Sequence, residues 1–143
     1  MTPTLPEILR GEAIAMSTPL PPEAGGDYAA GRAGMLASLA MLASQEAERG
    51  PAARVWENGA IRAMLGKAAG VYDAGLGGAL AEAAAETDSD FSWSGLDTAN
   101  AALRRLLIAL HIAVETARDA GMDRAIIALY GEMAHARRLD LGG

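Results

Sequence analysis

Cysteine is absent from the 143-residue sequence, and aromatic residues make up only 4% of it. Without cysteine the chain cannot form a disulfide scaffold, a thiolate zinc site, an iron–sulfur cluster or a cysteine nucleophile. Aromatic and β-branched side chains favour strands, so their scarcity disfavours a β-sheet protein. Alanine, the strongest helix former, is abundant instead. The composition therefore favours an all-helical fold.

Long apolar runs and a basic start are also missing. The first residues carry neither a positive charge nor a long apolar segment, so we expect no signal peptide. The most apolar stretch, residues 103–114, is interrupted by Arg104, Arg105 and His111, so we expect no membrane span. The formal charge is −6 and the basic residues are dispersed, whereas nucleic acids and anionic membranes attract clustered lysine and arginine. The sequence predicts a cytoplasmic protein that binds neither nucleic acid nor membrane.

Apolar residues recur every three to four positions along most of the chain, which is typical of helices. Glycine, proline and capping residues divide this pattern into predicted helices over residues 4–16, 27–49, 51–65, 73–86 and 97–118, and from 123 onward. Gly50–Pro51 and Gly66 are predicted helix boundaries, and Asp97 and Asp123 are predicted N-caps.

Because the connections between these helices are short, neighbouring helices should run antiparallel. We predict an all-α, up-and-down bundle of four to five helices over residues 27–143. The bundle follows a helical, proline-rich N-terminal arm over residues 1–26, and the whole chain is predicted to be one domain. Phe91 and Trp93 are predicted to plug one end of the core.

Motifs for catalysis or metal binding are incomplete. Gly75-Leu-Gly77-Gly78 lacks the third glycine and the preceding strand of a dinucleotide-binding loop. Glu132-Met-Ala-His135 matches half of a di-iron motif, but the other half is missing and His135 is predicted to face solvent. His111 and Glu115, four residues apart, are predicted to stabilise their helix rather than to bind a metal. We expect no catalytic residue, no metal site and no cofactor.

Charged residues fall on apolar stripes of two predicted helices. Arg32 and Glu46 share the predicted inner stripe of their helix with Tyr28, Met35 and Leu39, and Arg137 shares the inner stripe of the last helix with Tyr130. A buried charge needs a partner, so one hypothesis is a polar pocket built from Tyr28, Arg32, Tyr130 and Arg137 that holds a carboxylate or phosphate. The alternative is that these residues lie near helix ends and extend their charged groups into water.

Ile108 and Ile112 lie on the side of their helix opposite its inner apolar stripe. A helix that is apolar on two sides is central or lies at an interface. Either the N-terminal arm, with Leu5, Ile8 and Leu20, covers these isoleucines, or a second subunit does. The second interpretation predicts a homodimer, the commonest oligomer.

Three short segments resemble a known family. They are Glu46-Ala-Glu-Arg-Gly50-Pro51-Ala-Ala, the residues Glu57 and Ile61-Arg-Ala-Met-Leu65-Gly66, and Leu76-Gly-Gly-Ala-Leu80 before an acidic turn. Together they are similar to a family of small uncharacterised all-helical proteins that are often encoded beside acyl-CoA dehydrogenase-like and aminoglycoside-phosphotransferase-like proteins. The resemblance covers about a third of the chain and implies an accessory role near acyl-thioester metabolism. It transfers no catalytic residue.

The leading functional prediction is a non-enzymatic accessory or protein-interaction protein that forms a homodimer or binds a partner protein. The first alternative is an anion- or small-molecule-binding bundle that uses Arg32 and Arg137. The second is a metal-binding bundle that uses Glu132 and His135. Helical bundles carry out all three roles, so the fold cannot choose among them.

Overall fold

The computed structural model describes residues 5–19, 26–72, 76 and 78–140. It contains five helices: α1 (Leu5–Ser17), α2 (Asp27–Tyr72), α3 (Ala79–Ala85), α4 (Trp93–Ala117) and α5 (Ala120–Ala136). No strand occurs among these described residues. The predicted all-helical bundle is therefore confirmed. Within the same residues, no helix is both long and apolar enough to cross a bilayer.

The chain divides into two compact units, and the boundary lies between Gly50 and Pro51. The first unit comprises residues 1–50 and 139–143, so it holds α1 and the first part of α2. Ser44 on α2 donates a 2.9 Å hydrogen bond to the carbonyl of Pro6 on α1. Gln45 exchanges two hydrogen bonds with the backbone of Asp140. These contacts join α1, α2 and the C-terminal segment.

Apolar burial in the first unit is small. Among its described residues, only Ala13 and Ala37 are buried apolar side chains. Its larger apolar residues are exposed, as Ile14 and Met35 are, or half-buried, as Met41 and Leu42 are. The unit thus lacks the buried leucine and isoleucine side chains that supply most of a core's stabilising free energy.

The second unit, residues 51–138, contains the hydrophobic core. The residues of its core cluster come from the second part of α2 and from α3, α4 and α5: Ile61, Met64, Leu65, Ala68, Leu80, Ala83, Leu103, Leu107, Leu110, Val114, Ile126, Leu129 and Met133. Their spacing of three and four residues places them on one side of each helix. Helix α5 runs back along α4, because His111 contacts Asp123 near the connection and Asn100 contacts Arg137 at the far end.

The predicted helix break at Gly50–Pro51 is wrong, because α2 continues through both residues to Tyr72. Proline removes one backbone donor from a helix interior, but the chain on both sides is rich in alanine and Pro51 is followed by the core residues of α2. Gly66 does not end the helix either. A Cβ atom at Gly66 would lie 3.4 Å from Ala84, so this glycine marks contact with α3.

Two predicted N-caps are also corrected. Helix α4 begins at Trp93, and Ser92 caps it by accepting a hydrogen bond from the backbone of Gly95. Helix α5 begins at Ala120 and is capped by Asp119 rather than by Asp123. Asp97 and Asp123 lie inside these helices, where their carboxylates contact Arg54 and His111.

Two further predictions concern the segment between α2 and α4. The helix predicted over residues 73–86 is observed only as α3, and positions 73–75 and 77 lie outside the described residues. Phe91 and Trp93 do not plug the core, because both side chains are exposed.

Candidate functional site

A buried polar cluster crosses the second unit between α2, α4 and the end of α5. Glu57 and Asn58 are fully buried, and Asn100 is almost so. Burying an ionised carboxylate in a core is costly unless a cation and hydrogen bonds compensate it. The contacts of Glu57 therefore decide whether this cluster is reactive or structural.

Arg137 compensates the charge of Glu57. Its Nε and one terminal nitrogen donate 2.7 Å hydrogen bonds to the two carboxylate oxygens. The same terminal nitrogen is 3.0 Å from Oδ1 of Asn100, and Nδ2 of Asn100 donates to Oδ1 of Asn58 at 2.9 Å. This paired geometry is the strong form of an arginine–carboxylate contact.

The network continues from Asn58 to Asp88, at 3.1 Å, and from Asp88 to Arg62, at 2.8 Å. At the other side, Arg54 donates to Asp97 at 2.6 Å and lies over the ring of Trp93. In the described part of the chain, the Nε atom of Arg62 is the only fully buried side-chain nitrogen or oxygen that lacks a hydrogen-bond partner. The charged groups are thus used to hold helices together, and the cluster presents no free base or nucleophile.

The four residues of the hypothetical anion pocket lie in different units. Tyr28 and Arg32 belong to the first unit, where Tyr28 is 84% exposed and Arg32 is also exposed. Tyr130 and Arg137 belong to the second unit, where both are half-buried. The Nε and one terminal nitrogen of Arg137 are already bound to Glu57, so an external anion at this guanidinium would meet the repulsion of that carboxylate.

Tyr130 lies beside a group of three possible metal ligands on α4 and α5. Its ring centroid is 5.6 Å from that of His111, and burial raises the pKa of its phenol. His111 Nε2 is 3.0 Å from a carboxylate oxygen of Asp123, and Glu115 brings an oxygen within 4.8 Å of both. His111 thus pairs across the helices with Asp123, a contact that sequence spacing alone had assigned to Glu115. Glu132 and His135 are exposed.

A second polar contact fixes the connection between α4 and α5. Asp119 accepts hydrogen bonds from the backbones of Gly121 and Met122, each at 3.0 Å, and from the hydroxyl of Tyr72 at 2.9 Å. The backbone hydrogen bond from Met122 and the hydroxyl of Tyr72 lower the pKa of Asp119. Burial and the neighbouring Asp119 raise the pKa of Tyr72. This pair joins the end of α2 to the start of α5.

The sequence suggested that the stripe of Tyr28, Met35 and Leu39 is the inner side of α2, and this prediction is wrong. These residues are 84%, 62% and 56% exposed. The side of α2 that faces α1 is formed instead by small residues, Ala37 and Ser44. Two helices of this unit approach closely through those small side chains, which leaves the larger apolar residues on the outside.

Ile108 and Ile112 are exposed on α4, at 53% and 59%. They lie roughly 100–160° around the helix from the core residues Leu107 and Val114, on the side next to α5. Ile127 on α5 is 55% exposed and lies at the same level, because residues 123 and 130 of α5 both contact His111. We call Ile108, Ile112 and Ile127 the isoleucine patch.

A scan against protein-family models and searches of curated proteins and of solved structures found no significant match. The resemblance of the three short segments therefore stays a prediction.

Sequence reasoning missed the Glu57–Arg137–Asn100–Asn58 cluster, although Glu57, Ile61 and Leu65 are spaced as one inner stripe. A carboxylate at such a position is a signal for a buried ion pair.

Proposed function

We propose that this protein is a non-enzymatic accessory protein that acts through protein–protein contacts and self-associates as a homodimer. The observation that carries the proposal is the placement of large apolar side chains on the surface of both units. The first unit exposes Tyr28, Met35 and Leu39, and the second exposes the isoleucine patch. Contiguous exposed apolar residues mark interaction sites in stable proteins.

The buried charges support a non-catalytic role. Glu57 and Asp88 are each held by an arginine, and Arg137 and Arg62 each by a carboxylate. A catalytic acid, base or nucleophile needs a group that is free to exchange a proton or attack a substrate. The paired cluster instead fixes the positions of α2, α4 and α5 within the second unit.

Two apolar surfaces are consistent with two kinds of contact. A two-fold dimer uses one self-complementary surface on each subunit. The other surface then stays available for a partner protein, as an accessory role requires. The cytoplasmic location expected from the composition stays a prediction.

The proposal is tested by measuring the solution mass of the wild-type chain by sedimentation velocity, together with two sets of variants. We expect a homodimer. Its dissociation constant should rise in a variant of the first-unit surface, Met35→Glu with Leu39→Glu, or in a variant of the isoleucine patch, Ile108→Glu with Ile112→Glu. Val71→Glu is the matched control, because Val71 is an exposed apolar residue of α2 outside both surfaces.

A wild-type chain that stays monomeric at the highest concentration it tolerates contradicts self-association. A dimer that all of these variants leave unchanged contradicts the assignment of the two surfaces. Circular dichroism of each variant checks that its helices are retained.

A further inference from the structure

Six residues of α2 follow the spacing of a coiled-coil seam. The steps between them are four, three, four, three and four residues, which is the alternation of a heptad repeat. We call this set the α2 seam: Tyr28, Arg32, Met35, Leu39, Leu42 and Glu46. At about 100° per residue, all six lie within roughly 50° of the direction opposite Ala37 and Ser44.

The α2 seam is exposed in the single chain at Tyr28, Arg32, Met35 and Leu39 and half-buried at Leu42 and Glu46. The helix packs on α1 through Ser44, which bonds to Pro6, whereas Met35 and Leu39 on the other side are exposed. Neither Arg32 nor Glu46 forms a hydrogen bond or an ion pair with another described residue. They cannot pair with each other within one helix, because 14 residues separate their Cα atoms by about 21 Å.

We propose that the α2 seam binds the α2 seam of a second copy of this chain, in antiparallel orientation and centred near Ala37. The inference rests on the proposed self-association and specifies its surface and its register. In an antiparallel pair about a two-fold axis, a contact from residue i to residue j is repeated from j to i. With this centre, Met35 packs against Leu39 of the partner subunit, and Leu39 packs against the partner's Met35.

The charges of the seam match this register. Arg32 lies about 8 Å from the centre along the helix, and the partner subunit's Glu46 lies about 13 Å away in the same direction. The two are one helical turn apart, within reach of an arginine side chain. Tyr28 lies level with Glu46 of the partner subunit, so its hydroxyl is placed to donate to that carboxylate. The two-fold axis produces each contact twice.

A parallel pair does not satisfy the same residues. It would place Arg32 beside the partner's Arg32, and Glu46 beside the partner's Glu46, and like charges at an interface are destabilising. Charge complementarity therefore favours a second copy of this chain as the occupant of the seam, and it favours the antiparallel orientation. Gly31 beside the seam is exposed and carries no side chain that would hold a second helix away.

Charge reversal tests the register. Arg32→Glu and Glu46→Arg are each expected to raise the dimer dissociation constant about tenfold, because each change converts two attractive contacts into repulsive ones. The double variant with both changes should return the constant to within about threefold of wild type. The rescue must act between subunits, given the distance between these residues in one chain.

The matched control is Arg124→Glu with Glu132→Arg, a pair of exposed charges on α5 outside the seam. Sedimentation equilibrium gives the constants for all variants. The register would be overturned if the single variants had the dissociation constant of wild type. It would also be overturned if the double variant dissociated as readily as the sum of the two single effects predicts. A monomeric wild-type chain would overturn self-association itself. The dimer could instead dissociate in the variant with Ile108→Glu and Ile112→Glu and persist in the variant with Met35→Glu and Leu39→Glu. That outcome would support the proposed self-association and overturn the α2 seam as its surface.

Discussion

Glu57 is tolerated inside the second unit because two arginine side chains compensate its charge. Arg137 donates two hydrogen bonds to it, and Arg54 lies 3.9 Å from the same carboxylate. Such a pair contributes little net stability compared with apolar residues of the same shape, but removing one partner leaves a charge without compensation. The consequence of losing Arg137 is therefore much larger than the net contribution of the contact.

Arg137→Met is expected to lower the free energy of unfolding by about 3 kcal/mol. Urea denaturation followed by circular dichroism measures this change. Arg138→Met is the control, because Arg138 is the adjacent, exposed arginine. Equal stability of the two variants would show that Arg137 does not hold a buried charge.

Asp119 gives the second unit a defined dependence on pH. Its pKa is lowered in the folded chain by the hydrogen bonds from Met122 and Tyr72. The folded state therefore binds this proton less tightly than the unfolded state does. The stabilisation is fully present above the ordinary pKa of an aspartate and is lost as the pH falls through the lowered pKa of Asp119.

Asp119→Asn is expected to be less stable than wild type at neutral pH. The difference in free energy of unfolding should shrink toward zero as the pH falls to about 2. Urea denaturation at a series of pH values gives both curves. A stability difference that stays constant over this range would mean that the carboxylate charge of Asp119 does not contribute.

Helix α4 owes its start to Ser92, which lies one residue before Trp93 and caps the backbone of Gly95 at 3.1 Å. Ser92→Ala is expected to lower the free energy of unfolding by about 1 kcal/mol, the usual value for an N-cap. Ser94→Ala should change it by less than about 0.5 kcal/mol. Thermal or urea unfolding compares the two. A larger loss in the Ser94 variant would place the cap elsewhere.

The helical elements could be predicted because alanine content and apolar spacing are local properties. Boundaries were harder to predict, since several residue types can cap a helix and only contacts decide among them. Asp97 and Asp123 have good capping side chains, yet Arg54 and His111 bind them within the helices. Pro51 likewise predicts a break, and helix α2 continues through it.

The direction of an apolar stripe could not be predicted from spacing. Tyr28, Met35 and Leu39 form a regular stripe, and the sequence cannot say whether it faces another part of the same chain or a second chain. The structure shows that small residues face α1, so the stripe is exposed. The pairing of Glu57 with Arg137 was equally hidden, because 80 residues separate them.

At the scale of the whole molecule, the two units differ in how they bury apolar surface. The second unit has a continuous core of leucine, isoleucine, valine and methionine. The first unit buries only Ala13 and Ala37 among its described apolar residues. A unit with so little buried surface is marginal on its own. Association through the α2 seam would supply the missing burial.

The most direct test of the account is the mass of the untagged wild-type chain in solution, measured by sedimentation over a range of concentrations. Association through the α2 seam predicts a concentration-dependent species of twice the 14.7 kDa chain mass. High salt should weaken this dimer, because charged pairs lie within the seam. A mass of 14.7 kDa at every concentration would contradict this association.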